Sequence, residues 1–130
     1  MVKIILITHG ILGQALLETA SAICCIEGQD ISAFSVSGKV NLQDLEDKIK
    51  TICTSGETLI LVDTFGGTAC NIALKCSMDN DTVFVICGLN LNMLLTASNN
   101  NGKLPLKELC QKVITDGKKA IFEATENIKK

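Results

Sequence analysis

One histidine, one aspartate and a glycine pair carry most of the chemistry this chain can offer. His9 is the only histidine among 130 residues, and it stands in a Thr8-His9-Gly10 turn directly after an apolar run, residues 2–7 (VKIILI). Asp63 opens the segment 63–68 (DTFGGT), again directly after an apolar run. A carboxylate that accepts from one imidazole N–H fixes the tautomer and leaves the other ring nitrogen free as a nucleophile. Gly66 and Gly67 allow close approach of the backbone to an anion, and N–H groups at the start of a following helix favour negative charge there. Thr68 adds a hydroxyl that can cap that helix or donate to a phosphate. Each feature also has an ordinary structural reading: a lone histidine can close a strand, and Asp-Thr before glycines is common turn chemistry. Their convergence on one site is what gives them meaning.

Composition narrows the partners. The basic side chains number 12 against 14 acidic ones, for a net charge of −2, and every basic one is lysine. Without arginine there is no guanidinium fork to clamp phosphate or carboxylate bidentately. A phosphate site must therefore use backbone N–H groups, hydroxyls such as Thr68, Thr8 or Ser37, or a lysine point charge such as Lys39. The charge balance leaves no basic footprint for nucleic acid or an anionic membrane. With no Trp, no Tyr and only 4 Phe, a base-stacking surface is also excluded. The 7 cysteines are odd in number and contain no C-x-x-C pair, so neither a zinc knuckle nor a disulfide framework is expected. Cys24, Cys53, Cys87 and Cys110 fall at apolar-phase positions, where cysteine acts as a small buried hydrophobe. No Walker A or dinucleotide fingerprint occurs, so no cofactor and no metal are expected. No leader precedes the first apolar run, and no run approaches the roughly 20 residues of a membrane helix. The expectation is a cytoplasmic protein, in a reducing compartment, with no membrane insertion.

The elements that position these residues follow from the hydrophobic periods. Apolar runs at 2–7, 31–36, 58–62 and 82–87 read as strands. Between them lie helical patterns. Leu16, Ala20, Ile23 and Cys24 repeat on one face, with Gly28 closing the segment, and Asn41 caps a helix that carries Leu42, Leu45, Ile49, Ile52 and Cys53. Shorter helices are predicted at about 69–77 and 91–98, then a polar loop at 99–103. A last helix begins near Pro105, carries Leu106, Leu109, Cys110 and Val113 inward, and ends at Gly117. Residues 120–125 read either as more helix or as a short edge strand. Strands alternating with helices predict a single-domain α/β fold, an open, mostly parallel sheet with helices on both faces. In the order 2-1-3-4, His9 and Asp63 emerge from neighbouring strands at the carboxyl end of the sheet, where such folds bind ligands.

Three segments, in order, resemble the EIIA domain of the mannose-type bacterial phosphotransferase system over essentially the whole chain, 1–130. The strand leading into THG matches the family's phosphorylated histidine at His9. DTFGGTACNIA (63–73) is similar to the family's D-T-aromatic-G-G-[ST]-P-x-N segment, and GLNLNML (88–94) to its G-x-N-x-P-M-L segment. Ala69 and Asn92 stand where the family commonly has proline.

The resemblance implies a phosphocarrier that takes a phosphoryl group from phospho-HPr on His9 and passes it to EIIB for sugar uptake. It implies Asp63 as the orienting carboxylate, Phe65 as the aromatic and Thr68 as the hydroxyl beside the phosphate; on the residues' own chemistry Gly66 and Gly67 complete the phosphate site, with Thr64, Phe65 and Ser37 expected at its rim. It also implies a homodimer in which an antiparallel C-terminal strand, IFEA (121–124), is exchanged between subunits. The chain ends without the tether that leads to an EIIB domain in some members, so a free-standing subunit is expected. Two other readings stay open on the residues alone. One is the related phosphocarrier of a dihydroxyacetone kinase, which shares the histidine; the other is a non-catalytic flavodoxin-like binding module.

Overall fold

The computed structural model describes residues 1–128. Its strands are β1 (Lys3–Thr8), β2 (Ile31–Ser35), β3 (Thr58–Val62) and β4 (Val83–Cys87). They form one parallel sheet in the order β2-β1-β3-β4. The helices are α1 (Leu12–Ile23), α2 (Leu42–Cys53), α3 (Gly67–Ser77), α4 (Leu91–Asn100), α5 (Leu106–Lys119) and α6 (Ala124–Ile128). The fold class and strand order expected from the sequence are those observed.

The central strands are apolar on both faces because helices cover both. Ile4, Leu6, Leu59 and Leu61 point into a core shared with α1, α4 and α5. Ile5, Ile7, Ile60 and Val62 alternate onto the other face, against α2 and α3. All eight side chains are fully buried, and each contributes roughly 1.5–3 kcal/mol relative to exposure. The strands that end at His9 and Asp63 are thus the most firmly held part of the molecule. Their register is in step, with Ile7 opposite Val62.

Polar side chains fasten the periphery. Asn41 accepts from the Asp44 N–H at 3.1 Å and caps α2. Glu46 joins α2 to α3 by pairing with Lys50 at 2.9 Å and Lys75 at 3.6 Å. At the amino end of the sheet the buried Asn101 accepts from the Val2 N–H at 2.8 Å and donates to the Val2 carbonyl at 3.0 Å. A buried backbone segment without a ladder partner needs such a clasp.

Three expectations are corrected. The loop predicted at 99–103 begins later, because α4 continues through Asn99 and Asn100. Ile23 is not inward: it is 58% exposed, at the last turn of α1, where Ala20 is the buried residue. Gly117 does not end α5. The helix runs through it to Lys119, and a Cβ at this position would lie 2.5 Å from Met93 Cγ. This glycine is there for a close approach of α5 to α4, and Asn90 Nδ2 donates to its carbonyl at 3.1 Å. Of the two readings left open for 120–125, helix or short edge strand, the single chain takes neither in full and forms no strand there. Residues 121–123 lie outside regular structure and α6 follows. The Glu123 carboxylate accepts from the Thr125 and Glu126 N–H groups at 3.0 and 3.2 Å, which starts a helical turn locally.

Candidate functional site

At the carboxyl end of the sheet, β1 and β3 deliver His9 and Asp63 side by side. Asp63 Oδ2 accepts two hydrogen bonds from the same residue: from the His9 main-chain N–H at 3.0 Å and from His9 Nδ1 at 2.9 Å. Its other oxygen accepts from the Thr64 N–H at 3.0 Å. Burial works to raise the Asp63 pKa, but the His9 main-chain and ring N–H groups and the Thr64 N–H outweigh it. The carboxyl is held below its ordinary value of 3.8. An ionised carboxylate can only accept, so the proton of the neutral imidazole sits on Nδ1. Nε2 is left with its lone pair, on a side chain 53% exposed against 9% for Asp63. An exposed imidazole whose Nε2 lone pair is free, oriented by a shielded carboxylate, can act as a nucleophile.

The turn that carries His9 is braced from three directions. Gly10 adopts a φ of 54°, in the left-handed region. Its N–H donates to Ser37 Oγ at 2.8 Å, from the segment after β2. The Gly13 N–H donates to Thr8 Oγ1 at 2.8 Å, and a Cβ on Gly13 would meet that oxygen at 3.0 Å. Thr8 is 1% exposed beneath the turn, and this burial, rather than the bond it accepts, removes its hydroxyl from the candidate phosphate donors. Ser37 abuts the His9-Gly10 turn and keeps a free proton to donate. Lys39 is exposed and makes no ion pair among the described residues.

The glycine pair opens α3. Gly66 is its N-cap with a φ of 81°, and Gly67 follows at 76°. Two consecutive left-handed residues need glycine at both places. No side chain caps this helix, so its first amides are uncommitted to a cap and its dipole favours an anion. The expectation that Thr68 caps α3 is therefore not met. Thr68 is the second helical residue, half-buried, and lines a groove with Leu42, Glu46 and Lys75. Its side chain makes no hydrogen bond to His9 or Asp63. Ala69, at the common proline position, is fully buried.

Thr64 and Phe65 stand out into solvent, with Phe65 82% exposed. Ile11 and Leu12, on the other side of the His9 turn, are exposed as well. The sequence reading passed over these two. Ile11 carried a signal: a large apolar residue immediately after a Gly turn, on the side opposite Leu16 and Ala20; Leu12 keeps the period of that inward face and carried none. Among the described residues, no group of three or more His, Cys, Asp or Glu side chains could hold a metal ion. No helix among them is long and apolar enough to cross a membrane.

Known proteins resemble this chain in sequence and in fold. The family described as "PTS system fructose IIA component" matches residues 3–114. The fructose-specific EIIA component of Bacillus subtilis is 28% identical, over 100% of this chain and 91% of the relative. The sorbose-specific EIIA component of Lacticaseibacillus casei is 29% identical, over 82% of this chain and 79% of the relative. Among solved structures, EIIA from Streptococcus agalactiae superposes with a TM-score of 0.88 at 24% identity, covering 97% of this chain and 99% of that one. The mannose/sorbose-specific IIA subunit from Enterococcus faecalis superposes with a TM-score of 0.76 at 25% identity, covering 94% and 93%. The chain belongs to the mannose-type EIIA family of the sugar phosphotransferase system.

Proposed function

We propose that this chain is a histidine phosphocarrier that accepts a phosphoryl group from phospho-HPr on His9 Nε2 and passes it to EIIB in the cytoplasm. Membership of a phosphotransferase-system EIIA family supports the carrier role. The observation that carries the residue assignment is the double acceptance by Asp63 Oδ2 from His9, through the main-chain N–H and Nδ1. In the forward step Nε2 attacks phosphorus in line. The Nε2–P bond forms as the bond from phosphorus to HPr breaks, and the electron pair leaves with HPr. The imidazole gains positive character, which Asp63 balances. No proton needs to leave Nε2, because Nδ1 already carries it.

Three anionic oxygens must be held without arginine. The amides at Gly66, Gly67 and Thr68, the Thr68 hydroxyl and the dipole of α3 supply neutral donors for this. Thr64, Phe65 and Ser37 form the rim on which HPr and EIIB seat in turn. Neutral donors suit a carrier, because tight binding of the phosphorylated state would slow its release.

The test is direct. His9→Ala should remain folded, by circular dichroism, and take no label from phospho-HPr, while the parent chain forms an acid-labile phosphoramidate. Labelling of the variant at the parent rate would refute the assignment.

A further inference from the structure

Two thiols flank the candidate site without taking part in it. Cys70 lies in the first turns of α3, and Cys87 is the last residue of β4. Their Sγ atoms are 3.9 Å apart. A disulfide needs about 2.05 Å, so a shift of the α3 start towards β4, or a thiol rotation with it, closes the bond. Cys70 is 1% exposed, whereas Cys87 is half-buried on the edge strand of the sheet. An oxidant therefore meets Cys87 first, with Cys70 waiting behind it.

The position matters more than the pairing. β3 ends at Val62, opposite Cys87, and the 63–68 loop connects that point to α3. His9 lies on the β1 side of β3, and Cys87 on the β4 side. A bond between Cys70 and Cys87 pulls the start of α3, with Gly66 and Gly67, in the direction away from His9.

We propose that Cys70 and Cys87 form an oxidisable pair whose disulfide draws the 63–68 loop back from His9 and so slows phosphoryl acceptance. The effect on acceptance rests on the phosphocarrier reading above; the formation of the bond does not. The oxidant is a peroxide. Hydrogen peroxide converts the Cys87 thiol to a sulfenic acid and leaves as water. Cys70 Sγ then attacks that sulfur, loses its proton, and a second water departs. The two electrons given up by the thiols end in the two waters. Burial, and the hydrogen bond with Cys70, push the Cys87 thiol up to about 11. At neutral pH Cys87 thus rests as a thiol and reacts slowly with oxidant.

The experiment treats the full chain with hydrogen peroxide, maps disulfide-linked peptides by mass spectrometry, and measures labelling by phospho-HPr before and after a thiol reductant. The expected result is a 70–87 cross-link, acceptance slower on the order of tenfold to a hundredfold as for a misplaced site, and full recovery on reduction. Cys87→Ser and Cys70→Ala should each abolish the cross-link and the slowing, whereas Cys25→Ser should change neither. A cross-link confined to other cysteines, such as Cys53 with Cys76, would overturn the proposal. A 70–87 bond with unchanged acceptance would overturn its effect on the loop. A reduced parent chain that takes no label would instead refute the phosphocarrier reading and leave the peptide map to decide the pair.

Discussion

Replacing Asp63 by Asn is the most informative single change at the site, because it preserves shape and alters only charge and one set of donors. The carboxylate now accepts three N–H bonds, two at Oδ2 and one at Oδ1. A carboxamide has one oxygen. If that oxygen stays with Thr64, the NH₂ group faces two His9 donors, and the ring must move its proton to Nε2, the nucleophilic atom. If it flips towards His9, the tautomer survives but the NH₂ group faces the Thr64 N–H. Either way the negative charge is lost, 2.9 Å from Nδ1. Coulomb's law at that separation gives about 1.4 kcal/mol in water and about 6 kcal/mol at an effective dielectric of 20. His9 is half exposed, so solvent screening places the value towards the lower end, about 2–3 kcal/mol. At 1.36 kcal/mol per tenfold, phosphoryl acceptance should slow about 30- to 150-fold. The assay is single-turnover labelling by phospho-HPr, beside thermal unfolding of parent and variant. A variant within about threefold of the parent rate would refute this account of the carboxylate. The same pair gives a pH signature. Because the folded carboxyl lies below its ordinary 3.8, the unfolded chain binds more protons across the window just below that value. The stabilisation is therefore complete above it and is lost as pH falls through the folded pKa. Parent stability should drop through this window more steeply than that of Asp63→Asn.

Two further outcomes are expected elsewhere. The chain should sediment as a homodimer, since Ile121, Phe122 and Ile128 are 78%, 61% and 83% exposed in the single chain; removal of residues 118–130 should give monomer or aggregate, and a concentration-independent monomer of the full chain would count against it. Gly117→Ala should destabilise the fold by about 1–3 kcal/mol, because its new methyl meets Met93 Cγ, and a melting temperature at or above that of the parent would show that α4 and α5 can part without cost.

Much of this architecture was legible before any coordinates. The run 58–62 is β3 residue for residue, because a strand buried on both faces must be apolar throughout. The pairing of His9 with Asp63 was legible for a topological reason: both follow strands that the order 2-1-3-4 makes neighbours. What was hidden depends on contacts across the fold. Gly117 looks like a stop signal until Met93 is known to lie against it, and Ile23 continues a helical period whose last turn has nothing left to cover. Thr8 could be excluded as a phosphate donor only once its burial beneath the turn was seen. The proximity of Cys70 to Cys87 joins residues on separate elements, and no spacing along the chain announces it.

The clasp of Asn101 on Val2 has a practical consequence for handling the molecule. It anchors the chain where β1 begins, while His9 lies just past the end of that same strand, about 20 Å away at the usual rise per residue. Met1 is 81% exposed just outside the clasp. A fluorophore, affinity handle or sensor surface attached there is mechanically isolated from the reactive face, and partners can approach His9 unobstructed. Attachment through the far terminus would load residues 121–128, whose apolar side chains lie open, so the amino end is the one to tether.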